Sequence, residues 1–264
     1  MNCLICNKEI FYFFHKDFNQ YGLKRVDYYK CSNCGLVASK THYLMDEQAW
    51  RELNHICHVE YQGSDDNWHD PRWLERLHLQ AKILKDCCDL NLLSVTGKWL
   101  DYACGDGKLS ELLKGQQALL KYDKFMSKSD GYIDDIAINF QQFDFVITTS
   151  VFEHFTKRKD FDFVHSLVSD EGVMGLHTLV REDVPNDPEW FYLSPTHCSF
   201  HTNKSMSLLL EQWGYIESIY NVDARLWLFF KPNLKNVEQI IEIANKRIDK
   251  PNYIYNEGFV DYWK

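Results

Sequence analysis

Trp99-Leu100-Asp101-Tyr102-Ala103-Cys104-Gly105-Asp106-Gly107 is the stretch from which the rest of the chain is read. A short apolar run ends near a carboxylate, and the glycines that follow let backbone turn tightly and approach a ligand closely. Leu109, Leu112 and Leu113 then recur at helical spacing until Gly115. The segment reads as a strand, a glycine turn and a helix. Working toward the C-terminus, a second strand over residues 118–122 ends in Asp123, and a third covers 143–148. Residues 161–168 read as a helix closed by Gly172, and 173–180 as another strand. Thr202 caps a helix carrying Met206, Leu209, Leu210 and Trp213, with Gly214 as its stop. Residues 216–222 and 224–230 are two strands close enough in sequence to pair antiparallel. Toward the N-terminus, Asp70-Pro71 supplies a cap and a first-turn proline. Leu74, Leu77, Ala81, Leu84 and Cys88 then mark a helix over residues 71–90. Residues 41–69 show no clear period. Strands alternating with helices imply an α/β fold with a mostly parallel sheet covered on both faces.

Composition agrees with a folded chain. Of 264 residues, 45% are hydrophobic and 15% aromatic, which supplies ample core material and excludes disorder. Lys plus Arg number 29 against 38 Asp plus Glu, and the resulting charge of −9 argues against a general nucleic-acid binder. The longest apolar runs, such as Leu226 to Phe230, fall far short of the ~20 residues that span a bilayer. The N-terminus lacks the basic and apolar regions of an export signal. A cytoplasmic, reducing location without membrane contact is therefore expected, where clustered thiols bind metal more often than they pair.

Cys3-Leu4-Ile5-Cys6 and Cys31-Ser32-Asn33-Cys34 are two CxxC pairs separated by 24 residues. Two such turns can complete a tetrahedral thiolate site, with Gly35 allowing the bend after the second pair and strand-like residues 10–14 and 26–30 between them. The spacing predicts a structural zinc held by Cys3, Cys6, Cys31 and Cys34, with no open position for substrate. Cys57, Cys87, Cys88, Cys104 and Cys198 read as ordinary buried thiols. The expected organisation is a zinc ribbon over residues 1–40, a helical linker or lid over 41–95, the main domain over 96–231, and a helical extension over 232–264 that serves as a packing or dimer element.

In such a sheet, ligands sit beyond the carboxyl ends of the strands where strand order reverses. The glycine turn does not match GxGxxG, and Asp106 faces the place a pyrophosphate would occupy, which disfavours a dinucleotide. A cationic ligand suits these carboxylates, and Asp123 is placed to accept both hydroxyls of a ribose. Asp101 to Gly107 resembles the first motif of class I S-adenosylmethionine-dependent methyltransferases, DxGxGxG, with Ala103 at the first glycine. Residues 143–147 followed by Val151-Phe152-Glu153-His154 resemble that family's fourth-strand motif, and Asp134 and Asp135 fall where the family places an acidic residue on the adenine amine. The resemblance implies a Rossmann-like seven-stranded sheet with an antiparallel last strand. It also implies donor contacts from Asp101, Ala103, Cys104, Gly105, Gly107, Asp123, Ser150 and one of Asp134 and Asp135. The segment from Trp190 to Thr202, a candidate substrate loop, resembles the loop before the sixth strand in a subgroup with an N-terminal cysteine-rich zinc module. That subgroup implies O- or C-methylation of a sugar, nucleotide-linked sugar or capsular-polysaccharide precursor.

Methyl transfer from a sulfonium needs alignment and, for a neutral acceptor, a base. His154, His177, His197 and His201 follow strand ends or lie in the candidate substrate loop, and each is equally readable as structural. Glu153 is a second candidate base or a helix-start carboxylate, and Tyr192 a candidate orienting hydroxyl or a core tyrosine. Three alternatives stay open. A phosphate or phosphoramidate oxygen would need no base, and Arg181, Lys204 or Arg225 would clamp its charge. An RNA or protein substrate would dock on the ribbon through Lys24, Arg25 and Lys30. A non-catalytic scaffold would keep the fold alone.

Overall fold

The computed structural model describes residues 1–63, 71–125, 131–234 and 236–261. The expected cap at Asp70 lies outside the described residues. Three strands open the chain: β1 (Ile10–Asp17), β2 (Arg25–Cys31) and β3 (Val37–Ser39). Helices α1 (Lys40–Leu44), α2 (Glu47–Gly63) and α3 (Pro71–Asp89) lead into β4 (Trp99–Tyr102), the strand before the glycine turn. Then follow α4 (Lys108–Leu112), β5 (Leu119–Tyr122), β6 (Phe143–Thr149), α5 (Arg158–Ser166) and β7 (Val168–His177). The rest comprises β8 (Val180–Arg181), β9 (Ser199–Thr202), α6 (Asn203–Gln212), β10 (Glu217–Asn221), β11 (Leu226–Phe230), α7 (Val237–Lys246) and β12 (Tyr253–Glu257).

Seven strands form the main sheet in the order β12-β10-β11-β7-β6-β4-β5. Strands β5, β4, β6 and β7 run parallel, and β11 pairs antiparallel with β7. The sheet is the Rossmann-like one expected, with two differences at its edges. Beyond β5, among the described residues, an isolated parallel bridge between Lys121 and Tyr132 stands where a further strand would add. At the other edge, the C-terminal segment contributes more than a helix: β12 pairs with β10 from Tyr253↔Asn221 to Glu257↔Glu217. The helix read over residues 161–168 starts and stops earlier, because Val168 already pairs with Phe143 as strand.

Period-two alternation sorts the strand residues onto two faces. Trp99, Phe145 and Ile147 pack with Leu77, Leu84 and Leu109 on one side, and Leu100, Val146 and Met174 pack with Phe152, Phe161 and Leu209 on the other. Every one of these side chains is buried, which is why β4 and β6 read as continuous apolar runs.

The N-terminal strands do not form a module apart. They belong to a second, five-stranded sheet in the order β1-β2-β3-β9-β8, two strands of which come from the segment after β7. Val37 pairs with Phe200 and Ala38 with Ser199. A third core of Phe14, Tyr28, Leu53, Trp190, Leu193 and Phe200 joins β1, β2, α2 and the loop before β9. Among the described residues, no helix is long and apolar enough to cross a membrane.

Candidate active site

Strand order reverses between β4 and β6, and a crevice of about 1290 Å³ opens beyond their carboxyl ends. That volume exceeds the usual single-ligand pocket of roughly 300–1,000 Å³. The glycine turn forms one wall. Ala103, Gly105 and Gly107 take φ of 58°, 57° and 78°, the left-handed region. Cys104 donates its N–H to Tyr122 O at 3.1 Å, and Tyr132 donates its hydroxyl to Gly105 O at 2.7 Å. The turn is thereby stapled to the end of β5.

Ala103 is the strained member, since an L-residue there costs about 1–2 kcal/mol that glycine avoids. Ala103→Gly is expected to raise the melting temperature by about 1–3 °C once the larger unfolded-state entropy of glycine is subtracted. A lower melting temperature would show that the Ala103 methyl contributes more by packing than its φ costs. Gly107 is absent from the crevice wall, contrary to its expected place. An added Cβ there would meet only the flexible Lys121 side chain, so it is the φ of 78° that calls for glycine.

Asp101 and Asp123 both line the crevice and are 2% and 5% exposed. Asp101 Oδ1 has no hydrogen-bond partner among the described residues. Burial, with the charges of Asp123 and Asp106 adding to it, pushes this carboxyl up to about 8. A cationic ligand would reverse that shift. Asp123 accepts the Gly105 N–H through Oδ2 at 2.9 Å and the Phe125 N–H through Oδ1 at 2.8 Å. A carboxylate oxygen can accept more than one hydrogen bond, so these contacts are compatible with ligand hydroxyls at the same group. Of the two adjacent acids, Asp135 lines the crevice, whereas Asp134 Oδ1 caps a 3-10 turn by accepting the Ile136 and Ala137 N–H groups. Ala103, Cys104, Gly105 and Ser150 also line it, Ser150 with φ 58° and its N–H on His177 O.

The other end of the crevice carries Glu153, His154, Tyr192 and His197. Glu153 is buried, accepting the Tyr192 hydroxyl at 2.6 Å and the Thr178 hydroxyl at 2.8 Å. His197 Nδ1 lies 2.8 Å from Tyr192 O, and a carbonyl can only accept. Nδ1 therefore carries the hydrogen in the neutral ring, which leaves the lone pair on Nε2. Burial pushes His197 below the ordinary imidazole range, opposed by the charge of Glu153. The His154 and His197 rings meet edge to face at 4.9 Å. Glu153, His154 and His197 offer ligand atoms within 4.8 Å of one another.

His201 does not join this group. It is fully buried between Phe152 and Phe161, ring centroids 6.0 and 5.6 Å away, because β9 turns its side chain into the core. Its predicted catalytic place is corrected accordingly. His177 is also outside the crevice wall, its Nδ1 bonded to Arg225 O at 2.7 Å. Neither Arg181, Lys204 nor Arg225 lines the crevice. On the ribbon, Lys30 pairs with Asp183 and Arg25 with Asp27, so two of the three expected docking charges are already matched.

The sequence reading missed Tyr132, His42 and the bounds of α2 within the expected helical linker. His42 is buried, with Nε2 2.9 Å from Pro195 O and Nδ1 2.7 Å from Ser39 Oγ. Its Nε2–H thus holds the loop that carries His197. The signal for α2 was present: Asp46 Oδ1 caps it by accepting the Ala49 N–H, and Trp50, Leu53 and Cys57 follow at helical spacing.

The four N-terminal cysteines converge. Cys3 and Cys34 Sγ atoms are 3.4 Å apart, Cys6 and Cys31 3.4 Å, and Cys6 and Cys34 3.7 Å. The Asn33 and Cys34 N–H groups point at Cys31 Sγ. A tetrahedron of thiolates about 2.3 Å from a zinc ion has edges of this length, so the donor set fits that metal.

The family described as Methyltransferase domain matches residues 64–216 of this sequence. The chain belongs to that family. This methyltransferase is an enzyme of the S-adenosylmethionine-dependent class, and the carboxylate-rich wall of its crevice fits a cationic donor. Its fold is similar to that of an S-adenosylmethionine-dependent methyltransferase from Archaeoglobus fulgidus, at 17% identity, with 72% of this chain and 95% of that one covered and a TM-score of 0.42. Magnesium protoporphyrin IX methyltransferase from Synechocystis PCC 6803 matches at 12% identity, covering 67% and 99%, with a TM-score of 0.42. The cyclase SpnF matches at 12% identity over 55% of this chain and 60% of its own, with a TM-score of 0.40. No curated protein matches the sequence.

Proposed function

We propose that this methyltransferase moves the methyl group of S-adenosylmethionine to a small polar acceptor, a sugar or nucleotide-linked sugar, with His197 removing the acceptor's proton. The observation that carries the reading is the 2.8 Å contact between His197 Nδ1 and Tyr192 O, which fixes the tautomer and leaves Nε2 as a proton acceptor on the crevice wall. The bound donor supplies an already activated methyl. Asp101 takes its ammonium, Asp123 its ribose and Asp135 its adenine amine. Glu153, held by Tyr192 and Thr178, stabilises the imidazolium that forms on His197. Trp50 and Trp73 give the remaining wall flat apolar faces suited to a sugar ring.

The four cysteines hold a structural zinc ion, all four coordination positions being filled by protein. The transfer reading is tested by incubating the enzyme with methyl-labelled donor and a panel of nucleotide sugars, free sugars and sugar phosphates. A labelled sugar product supports it. Label appearing only on a nucleic acid or protein control would sink the small-molecule assignment.

A further inference from the structure

The inference rests on the donor reading above and concerns α2, which lies N-terminal to the segment matched by the family. One face of this helix, with Trp50, Arg51, Asn54 and Cys57, lines the crevice. Asn54 is completely buried at 0% exposure. Its Nδ2 donates to Trp50 O at 2.8 Å, which fixes the orientation of the amide, since that carbonyl needs a donor. The opposite atom, Oδ1, is then an acceptor, and it has no partner among the described residues. A buried acceptor left unmatched is costly, so Asn54 is the mark of a ligand donor in the crevice.

Which ligand group reaches it follows from where α2 is fastened. Lys124 Nζ lies 3.2 Å from Glu47 Oε1 near the helix start, and His55 Nδ1 lies 3.3 Å from Phe125 O. Both ties run to the two residues that follow Asp123. The carboxylate of Asp123 already takes one backbone N–H on each oxygen. A ribose brings two further O–H donors to the same place. We propose that Asn54 Oδ1 accepts a hydrogen bond from a ribosyl hydroxyl of the methyl donor, so that α2 supplies part of the donor site from outside the methyltransferase domain.

The test uses the full-length protein and calorimetry. Asn54→Leu, or Asn54→Ala should the first variant not fold, is expected to weaken S-adenosylhomocysteine by about tenfold or more. The same loss is expected with 5′-methylthioadenosine, which keeps the ribose and lacks the amino acid. With its 2′,3′-dideoxy counterpart, wild type and variant should bind alike. Unchanged affinity for S-adenosylhomocysteine overturns the proposal, and so does an equal loss with the dideoxy compound, which would mean Asn54 acts only on packing. Failure of the wild-type protein to bind S-adenosylhomocysteine would instead overturn the donor reading itself.

Discussion

Replacing His197 with alanine is expected to lower kcat by about 10²–10⁴-fold, the usual contribution of a positioned base, with little change in affinity for S-adenosylhomocysteine. The separation follows from geometry. The carboxylates proposed to take the donor stand near the ends of β4 and β5, whereas His197 stands on the loop before β9, bonded to Tyr192, which in turn bonds Glu153. The expected pH profile follows from the same site. A base works in its neutral form, and burial lowers the His197 pKa more than Glu153 raises it. The acidic limb of kcat should therefore fall below about pH 6.5, the value for a free imidazole. His197→Ala should lose that limb, and added imidazole should restore part of the rate by filling the vacated space. Full activity in the variant, or a limb that survives the substitution, would remove His197 from the chemistry.

The elements proposed to bear the donor were legible as a strand, a turn and a helix because their signal is local. An apolar run, a turn rich in small residues and a leucine-spaced helix lie within Trp99 to Leu113, and Asp123 ends the next apolar run. The cysteine pairs were legible for the same reason. What escaped was the long-range pairing that lies outside the main parallel sheet and the cysteine pairs. Nothing near Val37 announces that it will pair with Phe200, or near Tyr253 that it will extend the main sheet beside Asn221. His197 and His201 look interchangeable in the sequence, four residues apart in one loop. The pairing of β9 sends one into the core beside Phe152 and leaves the other on the crevice wall. Asp134 and Asp135 were separated likewise, by which of them caps the following turn.

Long-range pairing also decides what removal of the proposed zinc should do. A ribbon that merely hung from the domain would melt alone and leave catalysis intact. Here Thr202 donates its hydroxyl to Cys34 O at 2.5 Å, Ser39 donates its N–H to Cys198 O at 2.7 Å, and His42 holds Pro195 O. The cysteine site therefore braces the loop that positions His197. Metal binding at structural zinc sites is worth on the order of 10 kcal/mol, comparable to the whole stability of a domain. Cys34→Ser is expected to abolish stoichiometric zinc by elemental analysis, to lower the melting temperature by about 10 °C or more, and to lower kcat together with the folding of β1–β3. Stripping the wild-type protein with a chelator should give the same paired loss, and restoring zinc should recover both. A variant that loses the metal and the ribbon signal yet turns over at the wild-type rate would show that β9 and its loop hold their shape unaided, and the brace would be the part of the argument to give up.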